Sequence, residues 1–194
     1  MESTRIPMFP LTLLPLPGEL IPLHIFEPRY RELLTDVETR DISFGIYFNH
    51  EINKSKLGSL MKLESVIKRY PEGESDIIVR CIDIFSMDTL YRTYGDRLYP
   101  GGDVRFHNIN VSDMPGVELY ELFLEYQNKR NISSHFTLFT LYQIAHEMNF
   151  DLTGRYQFLN ASTVRKENFL IRQLKFHLHV LRQEEKSKDV YHLN

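Results

Sequence analysis

The sequence predicts an α+β protein, with a β-rich first half to about residue 112 and a helical half after it. Three observations carry this. The segment Ile6 to Tyr30, IPMFPLTLLPLPGELIPLHIFEPRY, is almost wholly apolar yet holds six of the nine prolines. Proline fixes φ and removes an N–H donor, so that hydrophobic surface belongs to short strands and turns, not to a long helix. Short apolar runs broken by turn residues continue to Val111, and at SDMPGVE (Ser112 to Glu118) the period of the apolar residues turns helical. Runs of strands followed by runs of helices mean α+β. The expected organisation is a β-rich subdomain over 1–112 and a helical subdomain over 113–194.

The elements are expected in this order. Pro7 to Pro22 forms short strands, with Pro17-Gly18 as a turn. Leu20 to Phe26 is mostly apolar and alternates poorly, as in a strand buried on both faces. Glu27-Pro28 starts a helix, since proline suits the first helical position, and Tyr30, Leu33, Leu34 and Val37 fall on one face. ISFGIYF (Ile42 to Phe48) is a strand. Leu60 to Tyr70 and Ile77 to Phe85 form a strand pair across PEGES (Pro71 to Ser75), where Gly73 supplies positive φ. Ile77, Val79, Cys81 and Phe85 share a face. Gly101-Gly102 reads as a break before a strand over Asp103 to Val111. Asp113 is the expected cap of the next helix, with Leu119, Phe123 and Tyr126 aligned beside Leu122. Ser134 is the expected cap of a helix striped by Leu138, Leu141, Tyr142, Ala145 and Met148. A short helix follows Asp151. Ser162 caps a long last helix with Leu170, Leu174, Leu178 and Leu181 inward and Arg172, Lys175 and Arg182 outward, and the charged run Arg182 to Asp189 is expected to fray.

Composition narrows the function classes. The 194 residues are 42% hydrophobic and 25% charged, enough for a real core. Net charge is −3, which gives no general attraction to nucleic acid or anionic membrane. The single Cys81 excludes an intrachain disulfide and any multi-thiol zinc site, and it points to a reducing, cytoplasmic compartment. The apolar run Met8 to Leu23 is too rich in proline for a signal helix and is followed by no small-residue cleavage site. No proline-free apolar stretch is long enough to span a bilayer.

The chemical motifs mostly dissolve on inspection. HEMNF (His146 to Phe150) begins like the HExxH of zinc proteases, but the second ligand position is Phe150. SVIK (Ser65 to Lys68) matches SxxK, yet it lies in an expected strand, where a three-residue offset puts the pair on opposite faces. His177 and His179 are two apart on a helix, so their rings diverge. No phosphate-cradling glycine loop and no GxSxG elbow occurs, and no cofactor is expected. HIFEPRY (His24 to Tyr30) remains. Its plain reading is structural: Ile25 and Phe26 enter the core, Glu27 caps the helix, and Arg29 pairs locally. Its sharper reading makes His24, Glu27, Arg29 and Tyr30 a partner-binding surface.

FPLTLLPLPGELIPLHIFEPRYRELL (Phe9 to Leu34) closely resembles the opening of the Lon N-terminal, or LON substrate-binding, domain family. That opening reads roughly L-F-P-L, then P-G, then P-L-x-I-F-E-P-R-Y. It is matched by Phe9-Pro10-Leu11, by Pro17-Gly18 and by the run Pro22 to Tyr30. Phe44-Gly45 and Gly58 stand where the family has a Phe-Gly strand and a G-T-x-A-x-I strand, although Ser59-Leu60-Met61 departs from the latter. At the family's G-x-x-R-F only Phe85 agrees, with Cys81 and Ile84 replacing Gly and Arg. The last helix is similar to the family's closing helices.

The resemblance implies a PUA-like β pseudo-barrel followed by a helical bundle. It also implies a stand-alone domain without the ATPase and Ser-Lys protease modules, since no Walker motif occurs, and hence no enzyme activity. The implied partners are unfolded or hydrophobic polypeptide segments, with a separate ATPase or protease as a co-worker. The abundant Phe and Tyr, 13 and 11, and sheet edges left open by proline fit that role. The alternative is an RNA- or small-ligand-binding PUA-like protein, if Lys62, Lys68, Arg69 and Arg80 gather on one sheet face. A third class, an enzyme such as a hydrolase, would need convergent titratable groups in a deep pocket.

Overall fold

The computed structural model describes residues 3–132 and 138–191, with side chains through residue 184. Two compact units are present. The first comprises residues 1–110 with 151–156, and the second 111–150 with 157–194.

The first unit is built on β1 (Thr4–Leu11), β2 (Leu20–Ile25), α1 (Pro28–Arg40), β3 (Phe44–Phe48), β4 (Leu57–Arg69), β5 (Ser75–Tyr91) and β6 (Gly101–Phe106). The sheet order is β2-β5-β4-β3-β1-β6, and β5 also pairs with β6, so β5, β4, β3, β1 and β6 close into a ring. This is the expected pseudo-barrel. The length of β5 makes closure possible: its first half pairs with β2 and β4, and its last part pairs with β6. A register shift opposite Leu60 and Met61 lets β5 bend between the two jobs. The proline-rich start behaves as argued. β1 pairs with β3 and β6, and Gly18 turns at φ 87 before β2.

Two glycines explain the core. The Phe85 ring is fully buried against Gly45 of β3 and Gly58 of β4; a Cβ on Gly58 would come within 2.3 Å of that ring and one on Gly45 within 2.8 Å. The buried face of α1, with Tyr30, Leu33, Leu34 and Val37, closes over Phe9, Ile25 and Ile77. Asp36 of α1 accepts from Tyr99 at 2.6 Å and from Arg97 at 3.0 Å. Burial and that carboxylate both push the Tyr99 phenol well above its ordinary value.

The start of α4 (Leu152–Asn160) groups with this unit. Arg155 forks onto Glu19 at 2.5 and 2.9 Å, while Glu19 also accepts the Leu16 N–H at 2.8 Å. This clasp fixes the loop between β1 and β2.

The second unit holds α2 (Val117–Arg130), α3 (Leu141–Glu147), the end of α4, and α5 (Thr163–Tyr191). Leu119, Phe123, Ile144, Phe158, Leu170 and Leu174 lie at its centre. Lys175–Glu118 and Arg182–Glu125 ion pairs, each 2.7 Å, link α5 to α2. Lys166 is buried with its Nζ donating to the Tyr142 hydroxyl at 3.1 Å, and burial pushes the amine below its ordinary value.

Several local expectations are corrected. β2 is not buried on both faces: it ends the strand order, and its residues alternate between exposed and half-buried up to the buried Ile25. Gly101 and Gly102 lie inside β6, where that strand is squeezed between β1 and β5; a Cβ on Gly102 would reach Met8 at 2.7 Å. β6 stops at Phe106. Gly116, not Asp113, precedes α2, and its N–H donates to Glu167. α3 starts after Thr140, which forms a capping box with Gln143, so Leu138 lies outside the helix and is exposed. The expected cap Ser134 lies outside the described residues. α5 continues through the charged run to Tyr191. Among the described residues no helix is long and apolar enough to cross a membrane.

Candidate functional site

Proline shapes the corner that carries HIFEPRY. Pro28 forces Glu27 into extended backbone, at φ −67 and ψ 137, so the chain turns sharply from β2 into α1. Ile25 points into the core while Phe26 is left 54% exposed, against the expectation that both enter it.

The four predicted residues separate into two groups. Glu27 makes no side-chain cap; its carboxylate instead holds Arg29 at 2.7 and 2.9 Å. The Arg29 guanidinium lies over the Tyr30 ring at 4.7 Å, and Tyr30 is only 5% exposed, stacked on Phe9 at 3.9 Å. Burial raises the Tyr30 phenol above its ordinary value. Tyr30 is therefore core, with Arg29 and Glu27 as its lid.

His24 stands elsewhere, on the outward face of β2. Its Nδ1 meets Asp76 Oδ1 at 2.7 Å and its Nε2 meets Glu74 Oε2 at 3.3 Å. Tyr70 donates to the other Asp76 oxygen at 2.6 Å. The His24 ring stacks on Phe26 and meets Tyr70 edge-on, with centroids 5.9 and 5.8 Å apart. Lys68 Nζ covers the Tyr70 ring at 4.3 Å. The hydrogen bond to Asp76 raises the imidazole above its ordinary value, against desolvation. Asp76 is lowered, first by the bond from Tyr70 and then by that from His24, and the same carboxylate raises the Tyr70 phenol. Both imidazole nitrogens are engaged, so the cluster staples β2 to the β4–β5 turn and offers no free base. Sequence reasoning missed Asp76, Glu74 and Tyr70. The β4–β5 hairpin was legible, but nothing local says that its turn lies beside β2.

Other candidates were placed too. The register shift between Val66 and Lys68 sets Ser65 opposite Ile78 and Lys68 opposite Asp76, so the pair shares a face after all. The expectation of opposite faces fails because a bulge adds a residue. Both are exposed, and Lys68 is held at Tyr70. Ser86 Oγ lies 2.9 Å from His107 Nε2, a contact the sequence did not suggest, but His107 is exposed to water. Phe150, where HExxH would need a ligand, packs edge-on to Phe169. Among the described residues no three His, Cys, Asp or Glu side chains gather as metal ligands. Burial raises the Cys81 thiol far above its ordinary value, so it stays protonated.

Three of the four basic residues named for RNA have acidic partners of their own, and the fourth, Lys68, lies over the Tyr70 ring. Arg80 and Lys62 are cross-strand neighbours, but Arg80 forks onto Glu64 at 2.9 and 3.0 Å and Lys62 reaches Asp41 at 3.5 Å. Arg69 pairs with Glu38.

No family model and no curated protein matches this sequence. Solved structures do. A Lon N-terminal domain protein from Xanthomonas campestris matches with TM-score 0.65 and 20% identity, covering 91% of this chain and 98% of that one. The N terminal domain of Mycobacterium avium complex Lon protease matches with TM-score 0.49 and 13% identity, over 92% and 98% of the two chains. The first match shows that this chain has the Lon N-terminal domain fold, as Phe9 to Leu34 implied.

Proposed function

From that fold and the corner at β2, we propose that the chain is a non-catalytic polypeptide-recognition module that holds unfolded or hydrophobic protein segments. The observation that carries this is the outward face of β2. Leu20 is 48% exposed, Pro22 is exposed, and Phe26 is 54% exposed beside His24. Apolar groups left in water on a strand that ends the sheet among the described residues are costly unless something covers them. His24 and its carboxylates hold this surface rigid, so little order is lost when a partner binds. The resemblance to a substrate-binding domain supports the same reading. Glu27 and Arg29, which follow Phe26 in the chain, are further candidate contacts, whereas Tyr30 is buried behind Arg29.

Each contact is modest, so micromolar affinity is expected, about −8 kcal/mol. Overlapping decapeptides covering an unfolded chain such as β-casein test the proposal directly. Apolar segments should bind, and Leu20→Ser with Phe26→Ser should weaken them about tenfold or more while leaving the melting temperature unchanged. Absence of binding by every peptide would overturn the reading.

A further inference from the structure

The backbone of β2 specifies how such a segment is held; this step rests on the polypeptide-holding reading. Cys81 N–H donates to Glu19 O at 2.9 Å. With the register Leu20↔Arg80 to Ile25↔Ser75 and a period of two, Ile21, Leu23 and Ile25 turn their main-chain groups toward β5. Leu20, Pro22 and His24 therefore turn theirs away, toward the outer edge. β2 ends the strand order, and within the described residues none of these outward groups has a hydrogen-bond partner.

We propose that an extended polypeptide segment adds to this edge as a further strand, pairing main chain to main chain with β2. The edge presents the N–H of Leu20 and His24 and the C=O of Leu20, Pro22 and His24, about 7 Å apart along the strand. These partial charges alternate in sign at a spacing that an extended main chain complements, whatever its sequence. The side chains of Leu20, Pro22 and Phe26 share a side, so alternating apolar side chains on the incoming segment cover them.

Pro22 selects the occupant. If a second copy paired its β2 antiparallel about Pro22, each Pro22 carbonyl would face the other's ring nitrogen, which has no hydrogen to donate. That register is closed to self-association, as edge prolines commonly arrange. A foreign segment that donates an N–H to the Pro22 carbonyl meets no such conflict. One residue of that segment keeps its own C=O toward water, because proline has no N–H to offer.

The test uses the tightest-binding apolar decapeptide from the β-casein set, with each backbone nitrogen methylated in turn. Strand addition predicts a loss of about fivefold or more at up to three alternate residues, those facing the carbonyls of Leu20, Pro22 and His24, with little change at the residues between, because only alternate N–H groups face β2. Pro22→Ala adds a donor at the edge and should tighten binding of the unmethylated peptide about threefold. If methylation has no effect with period two while the peptides still bind, strand addition is overturned and the broader reading stands. If no peptide binds, both fall.

Discussion

His24 is an imidazole whose folded state prefers its proton, because Asp76 and Glu74 face its two nitrogens from β5 and the turn before it. Its pKa is raised from the ordinary 6.5, and that of Asp76 is lowered from 3.8. The signs follow from linkage. The His24 contribution is fully present below pH 6.5 and is lost as pH rises through the raised folded value. The Asp76 contribution is present above 3.8 and is lost as pH falls through the lowered one. The staple on β2 is therefore complete between these limits. NMR titration of His24 should give a pKa above 6.5 that falls toward it in Asp76→Asn, and amide exchange at Leu23 and Ile25 should quicken at mildly alkaline pH. An imidazole titrating at or below 6.5 would contradict the geometry. The residue scale was only partly readable in advance: His24 stood out as the imidazole in HIFEPRY, but the residues that tune it come from 46 to 52 positions away, across a pairing no local pattern announces.

At the scale of elements, the strands and helices were legible wherever local rules decide them. Pro28 started α1, the Tyr30–Val37 stripe faced inward, and the β4–β5 hairpin turned at Gly73. Misreadings came where tertiary neighbours decide. β2 looked like an inner strand because it is apolar, but its place at the end of the sheet leaves those side chains outside. Gly101-Gly102 looked like a break because glycine is permissive, but it serves close approach of β6 to Met8 and Tyr94. The same physics makes a sharp prediction for β4. Gly58→Ala drives a methyl into the Phe85 ring and the Ile46 carbonyl, both fixed by the closed sheet. A loss of about 1–3 kcal/mol is expected, seen in thermal or denaturant unfolding as a lower midpoint. An unchanged midpoint would mean that Phe85 is not wedged as described.

For the whole molecule, the acidic balance and the ion pairs of Lys62, Arg69 and Arg80 predict behaviour toward nucleic acid. Retention on an RNA column should be weak at low salt and should not change steeply as salt is raised, since few phosphates would be neutralised. Steep salt dependence would revive the RNA reading. The fold was legible in the sequence because Phe9 to Leu34 spells out a recognisable opening and because strands precede helices. The site was less so, since it depends on which strand the closed sheet leaves at its margin. The Glu19–Arg155 clasp carries one more consequence, for synthesis. The ring can close once residue 106 has emerged from the ribosome, and Ser59 and Cys81 already hold the loop at Pro15, Gly18 and Glu19, yet the Glu19 carboxylate lacks its cation until Arg155 follows, some seconds later at ordinary elongation rates. A nascent barrel thus spends that interval with a half-buried carboxylate still waiting for its counter-ion, and the last of its loop contacts is made only after the ring itself is complete.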